Sequence, residues 1–265
     1  MKPKLTLARR GAGHTLLELT IAVALGLVVT LGALAAYRSQ RQAFAYASDA
    51  ARIHEAGMNA LLLMGEQIQM AGFVAADTRV PLAGPAIFGC MAGRPVGADA
   101  ALACESLSGR SDGLALRYQG DGVSTWPAAN GQVTDCLGQA AGAAGSEIVN
   151  RYHAKASAST GEPELYCEGS GKVGTAQPLV EGVERLRLRY WTAGAAQPVD
   201  ASVLARDQWA SVVAVDLCVL VRGGAFPRRT HYVDCEGAQG LGADGRARQA
   251  FWRHIVLRNA ALAAS

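Results

Sequence analysis

The sequence predicts an α+β chain: a long amino-terminal helix, apolar in its first half, packed through its second half on a mainly antiparallel β-sheet head. Three observations predict it. Leu16 to Tyr37 is an almost unbroken apolar run. From Ser48 to Met70, apolar residues recur every three or four positions. After residue 73 the composition shifts to Gly, Pro, Ala and Cys, and short stretches alternate with the period of two that marks strands.

The apolar run, at about 22 residues, can cross a hydrocarbon core of ~30 Å as a helix. Lys2, Lys4, Arg9 and Arg10 precede it, and Arg38 and Arg41 follow it. That excess of leading positive charge orients the amino terminus toward the cytoplasm. One residue contradicts a plain anchor. Glu18 lies three residues into the run, where a carboxylate at mid-membrane costs roughly 2.5–3.5 kcal/mol, so a function is expected of it.

The helical pattern continues through Ile53, Gly57, Ala60, Leu61, Met64 and Ile68, with Asp49, Arg52, Glu55, Asn59, Glu66 and Gln67 on the opposite face. A single helix from about residue 14 to about residue 71 would be on the order of 85 Å long. Gly26, Gly32, Gly57 and Gly65 weaken it locally and permit close packing or bending.

In the head, residues 113–120, 183–191 and 251–259 alternate apolar and polar side chains, and 209–222 is a nearly continuous apolar run, as in a central strand. Weaker strand candidates are 147–153, 164–168 and 230–234. Asn130-Gly131 and Asp244-Gly245 are turn signals. The implied sheet is mostly antiparallel and lies on the amphipathic part of the helix.

The chain has 265 residues, with 25 Lys+Arg against 22 Asp+Glu. The four basic residues before the apolar run carry the positive excess, so the remainder is close to balanced and demands no nucleic-acid partner. Its six cysteines, Cys90, Cys104, Cys136, Cys167, Cys218 and Cys235, all follow the apolar run and form no C-x-x-C pair. Even number, wide spacing and an export-like amino terminus suggest disulfides in an oxidising compartment. Of the 15 pairings, the sequential set Cys90–Cys104, Cys136–Cys167 and Cys218–Cys235 gives the shortest closures and is the expected one. Buried free thiols are an alternative. A zinc site is a weaker one, since no Cys/His cluster has ligand spacing.

No catalytic or cofactor motif stands out, and neither enzyme activity nor a cofactor is expected. The stretch GSGKVG (169–174) lacks the first glycine of a phosphate loop, where Tyr166 stands, and has Val173 where Ser or Thr should follow the lysine. His153, His231 and His254 are scattered. Asp99, Asp112, Asp121 and Asp244 lie in Gly-rich loops but lack the spacing of a calcium loop, and no metal is expected. Arg185, Arg187 and Arg189 form a basic stripe that could meet DNA phosphates, but a solvated, edge-protecting strand face is the preferred reading.

The amino-terminal stretch GHTLLELTIAVALGLV resembles the type IV prepilin signature: a basic leader, a glycine, and a glutamate as the fifth residue after it. His14 stands where that family usually has Phe. The blocks MGEQIQMAGFVAA, FGC, SDGLALRYQG, ELYCEG, PLVEGVERLRLRYW and FWRHIVLRN are similar, in order and spacing, to PilW-type minor pilins, least clearly in the Gly-rich insert 236–247.

The resemblance implies the type IV pilin fold and a division into a leader (1–13), a membrane and assembly half of the helix (14–38), an amphipathic half (39–72) and a periplasmic head (73–265). It implies cleavage by a prepilin peptidase between Gly13 and His14, with methylation of the new His14 amine. It also implies residence in the inner membrane, then at the pilus tip. There the chain would prime or cap the filament with other minor and major pilins, on the inner-membrane assembly platform. In such a filament the Glu18 carboxylate can pair with the amino-terminal amine of a neighbouring subunit. In low dielectric that pair is strong and each unpaired partner is costly, so it favours one register. The alternative is a glutamate that snorkels or is protonated in a simple anchor.

Two other readings remain open at this point. One is a pseudopilin of type II secretion. The other is a secreted, disulfide-bonded binding domain whose signal peptide is removed after the A-x-A motif formed by Ala33 and Ala35.

Overall fold

The computed structural model describes residues 13, 15–75, 80–122, 124–226 and 230–260. The chain divides into two compact units, Met1–Ser48 and Asp49–Ser265. One helix, α1 (Leu16–Met70), contributes to both. Burial along α1 begins at Asp49, and every described residue from 16 to 44 is exposed.

The second unit is built on two antiparallel sheets, with strands numbered in chain order. The larger is ordered β1 (Ile87–Cys90), β4 (Gly113–Gln119), β7 (Glu147–Ala156), β8 (Pro163–Gly169), β9 (Gln177–Glu181). The smaller is β10 (Val183–Thr192), β11 (Val212–Ala225), β14 (Arg246–Val256), with β11 central. Three two-stranded pairs attach to them: β2 (Gly93–Val96) with β3 (Ala103–Ser106), β5 (Val133–Thr134) with β6 (Ala140–Gly142), and β12 (Thr230–Val233) with β13 (Gln239–Gly242). The Gly-rich insert is thus largely the β12–β13 hairpin and its following turn.

The core lies between the inner faces of both sheets and the buried stripe of α1. Ile53, Ala60, Leu61, Met64 and Ile68 pack with Leu116, Tyr152, Leu165, Leu188, Tyr190, Leu217, Val219, Phe251 and Ile255. Two glycines make this contact close. A Cβ at Gly57 would lie 2.3 Å from the Phe251 ring, and one at Gly65 would lie 2.6 Å from the Arg253 guanidinium. Arg253 in turn donates to the Leu61 carbonyl at 3.3 Å. The last turn of α1 is closed from the other end of the chain. The Asn259 amide donates to the carbonyls of Gln69 (3.3 Å), Met70 (3.5 Å) and Ala71 (3.2 Å), groups that a helix end otherwise leaves unsatisfied.

The structure corrects several sequence-based expectations. Asp49, assigned to the polar face, is buried, and its carboxylate accepts the Gly224 N–H at 2.7 Å. A hydrogen-bonded carboxylate can enter the stripe because it satisfies a backbone donor there. The alternation of 113–119 suggests a half-solvated strand, yet all seven residues of β4 are buried. Its second face is covered by β2 and the 97–99 loop, and Arg117 is held inside by Glu147 and by the Asp99 carbonyl. The apolar run 209–222 enters its strand only at Val212, since Arg206–Ser211 forms a 3₁₀ turn that buries Trp209.

The six cysteines are joined as Cys90–Cys104, Cys136–Cys167 and Cys218–Cys235, with Cα separations of 5.5, 6.5 and 5.8 Å. These bonds tie β1 to β3, the turn after β5 to β8, and β11 to the tip of the β12–β13 hairpin.

Candidate functional site: the amino-terminal helix

The first turn of α1 explains part of the anomaly of Glu18. Thr15 is the helix N-cap. Its Oγ1 accepts the Glu18 N–H at 3.2 Å, while the Glu18 Oε2 accepts the Thr15 N–H at 3.0 Å. This reciprocal Thr-x-x-Glu arrangement is a capping box, and it satisfies two of the donors that a helix start leaves open. The carboxylate also sits at the positive end of the helix dipole. The capping pattern is present in the sequence as Thr15-Leu-Leu-Glu18, where Glu18 stands out instead for its charge and its distance from Gly13. The Thr15 Oγ1 also lies 3.4 Å from the same Oε2. Gly13 lies just before the cap in open space. His14 lies outside the described residues.

From Leu16 to Tyr37 the side chains face outward without cover: Leu16 is 81% exposed and Val29 71%. An 18-residue window of this helix has a mean hydropathy of 2.4 and none of it is buried, so by length and composition it can cross a membrane. Its hydroxyls suit that medium. Thr20 Oγ1 donates to the Leu17 carbonyl at 2.9 Å and Thr30 Oγ1 to the Gly26 carbonyl at 2.7 Å, so neither needs water. At the far end the Arg41 guanidinium stands over the Tyr37 ring at 5.8 Å, an aromatic and a cation of the kinds that favour a membrane–water boundary.

The polar residues singled out in the head are engaged in structure. Asp112 accepts the N–H groups of Ala92 (2.8 Å) and Leu188 (2.9 Å) and pairs with Arg187. Asp99 pairs with buried Arg151, and Arg248 holds the Asp244 carboxyl well below the usual carboxylate range. Asp121 Oδ1 accepts the Ser124 N–H at 2.6 Å. These carboxylates do not converge, and no group of three or more potential ligands among the described residues could hold a metal. The basic stripe is matched by acids: Arg185 by Glu236, Arg187 by Asp112, Asp200 and Glu236, and Arg189 by Asp200. His153 is buried against Tyr166, and burial pushes its pKa down to about 4, helped by Lys155 and Arg94. A cavity of about 420 Å³ lies between Asp49–Leu63 of α1 and Leu179–Gly182. Its lining combines Ile53, Leu179 and Val221 with Arg52, Glu55 and Arg222.

A family model described as Type IV Pilus-assembly protein W matches residues 151–259, from β7 to the Asn259 closure of α1. No curated protein matches the chain. Among solved structures, a type IV-like pilin from Thermus thermophilus aligns with 13% identity and a TM-score of 0.44, covering 79% of this chain and 97% of that one.

Proposed function

We propose, from the premise that the chain is a PilW-like pilin of type IV pilus assembly, that it is a minor pilin which primes or caps the filament tip. In this reading the 1–13 leader is cut between Gly13 and His14 by a prepilin peptidase, and the His14 amine is methylated. Until assembly, the helix holds the chain in the inner membrane with its head in the periplasm. It then enters a filament with other minor and major pilins on the assembly platform. One observation carries the proposal. An apolar helix half stands uncovered, and its only carboxylate is fixed in the first turn, directly after a glycine and a basic leader.

Within the filament the Glu18 carboxylate takes the amino-terminal amine of a neighbour as a further donor. The apolar surroundings make the pair a register device, because a subunit out of place leaves both charges uncompensated. The capping box sharpens the test. Glu18→Gln keeps a side-chain acceptor for the Thr15 N–H and so keeps the helix start, but removes the charge. The variant is expected to be processed and membrane-inserted, and to enter filaments at least about tenfold less than the parent, as does Glu18→Ala. Parent-like assembly of Glu18→Gln beside failure of Glu18→Ala would leave the carboxylate a cap only. The amino-terminal mass of the membrane-derived protein tests processing: methylated His14 supports it, and a chain starting at Ala36 ends it.

A further inference from the structure

The outer face of the three-stranded sheet is only half covered. The β12–β13 hairpin, fastened by Cys218–Cys235, packs Tyr232 over Leu220 and Ala250. The strand register sets three rows across β10, β11 and β14: Arg187–Cys218–Trp252, which the hairpin covers at Cys218 and Arg187 but leaves open at Trp252, and then Arg189–Asp216–His254 and Trp191–Ala214–Val256 beyond the cover. All nine positions share one side of the sheet, since they alternate with the core residues Leu188, Tyr190, Val215, Leu217 and Ile255. Trp252 is 52% exposed and Val256 57%.

The middle row is organised around one carboxylate. Asp216 Oδ2 accepts the Trp191 Nε1–H at 2.8 Å, and Oδ1 lies 2.6 Å from His254 Nδ1. The Trp191 and His254 rings meet edge to face, with centroids 6.1 Å apart. Because the carboxylate only accepts, Nδ1 carries the proton of that contact and Nε2 is left turned away from Asp216 for another partner. Arg189, beside them, is half exposed with a distant ion pair at 3.9 Å, and offers donors.

We propose that this open half-face is a binding site for a neutral oligosaccharide. A sugar ring stacks on Trp252, and its hydroxyls bond to His254 Nε2 and the Arg189 guanidinium. Asp216 is the positioning residue that fixes Trp191 and His254. Charge selects this ligand over a polyanion, since Asp112, Asp200, Glu236 and Asp216 offset the three stripe arginines and leave no field to draw phosphates. Apolar ring faces edged with hydroxyls suit exposed indole beside fixed donors and acceptors. From Trp252 to Val256 the open face runs about 13 Å along β14, and its two open rows run about 10 Å across the strands, the scale of a short sugar chain.

The test is titration of the full chain in detergent with chitotriose and with maltotriose, followed by saturation-transfer NMR and tryptophan fluorescence. Saturable binding of at least one sugar is expected. Trp252→Ala should weaken it about tenfold or more, and Trp252→Phe should stay within about threefold because a stacking ring remains. Trp126→Ala, which removes a 90% exposed indole from another loop, should change nothing. Absence of binding by both sugars overturns the proposal, as does sugar binding that ignores Trp252→Ala. Binding of oligothymidylate in place of both sugars also overturns it and makes the face a base-stacking surface. The site stands or falls independently of pilus assembly, since none of these readouts involves the filament.

Discussion

The two halves of α1 obey opposite rules. From Asp49 to Met70 one stripe is buried, and each neighbour has adapted to it: Phe251 to Gly57, Arg253 to Gly65, Gly224 to Asp49. From Leu16 to Tyr37 the helix is apolar all round and exposed all round. The first arrangement is stabilised by tertiary packing, which supplies most helix stability in proteins. The second lies in a segment whose partner must be lipid or other apolar helices, since water is a poor solvent for so much contiguous apolar surface. The lesson is that helical propensity alone says little about either half; what surrounds each half sets its sequence.

Paired substitutions break the comparison most strongly. Met64 is fully buried, so Met64→Ala should cost about 3–5 kcal/mol in transfer and cavity terms, read as a shift in the denaturant midpoint of the head. Leu27→Ala, at an exposed position, should leave that midpoint within about 0.5 kcal/mol. Equal shifts would mean that the exposed half also contributes to head stability.

A pH titration sharpens the same contrast, because residues 16–37 contain no histidine. His153 has a folded pKa lowered to about 4 by burial, with Lys155 and Arg94 adding to the effect and Glu105 opposing it. The unfolded chain binds the proton first, near 6.5, so stability is complete above pH 6.5 and is lost as pH falls toward 4, by up to about 3 kcal/mol. Urea midpoints across that window should show the slope, and His153→Phe, which keeps a ring against Tyr166, should flatten it.

Part of this architecture was legible in the sequence. The apolar stripe of α1, the strand at 183–191 and the extent of the helix follow from periodicity, because burial there is one-sided; the strand expected at 251–259 runs instead from Arg246 to Val256. The short strands β1 to β3, β5, β6 and β13 were not legible, since two to four residues are too few to show a period. The buried face of β4 was hidden because its cover, β2 and the 97–99 loop, lies outside the strand and leaves no mark on the strand's own alternation. Of the proposed assembly site, Gly13 and Glu18 stood out, while the cap at Thr15 was missed even though its pattern was complete. The Trp191–Asp216–His254 group depends on strand register, which no single stretch of sequence states.

The smallest effect is expected at Asp49, where periodicity assigned the wrong face. Asp49→Ala strands the Gly224 N–H and should cost about 1–2 kcal/mol, whereas Arg52→Ala, on the exposed face beside it, should be nearly silent. Thermal melts of the two variants distinguish them, and a silent Asp49→Ala would return Asp49 to the solvent side.

The closure of α1 by Asn259 also sets an order of events. Helix residue Met70 and its capping amide are 189 residues apart in the chain. The strand that supplies Phe251 and Arg253 comes just before that amide. Until the last strand has been made, the stripe from Ile53 to Ile68 therefore waits without its final cover. Contacts this distant in sequence form slowly, and uncovered apolar surface associates with whatever is near. The head thus has a vulnerable interval, between the emergence of its first element and the arrival of its last, in which a holding chaperone or the membrane surface itself would decide how much of it folds.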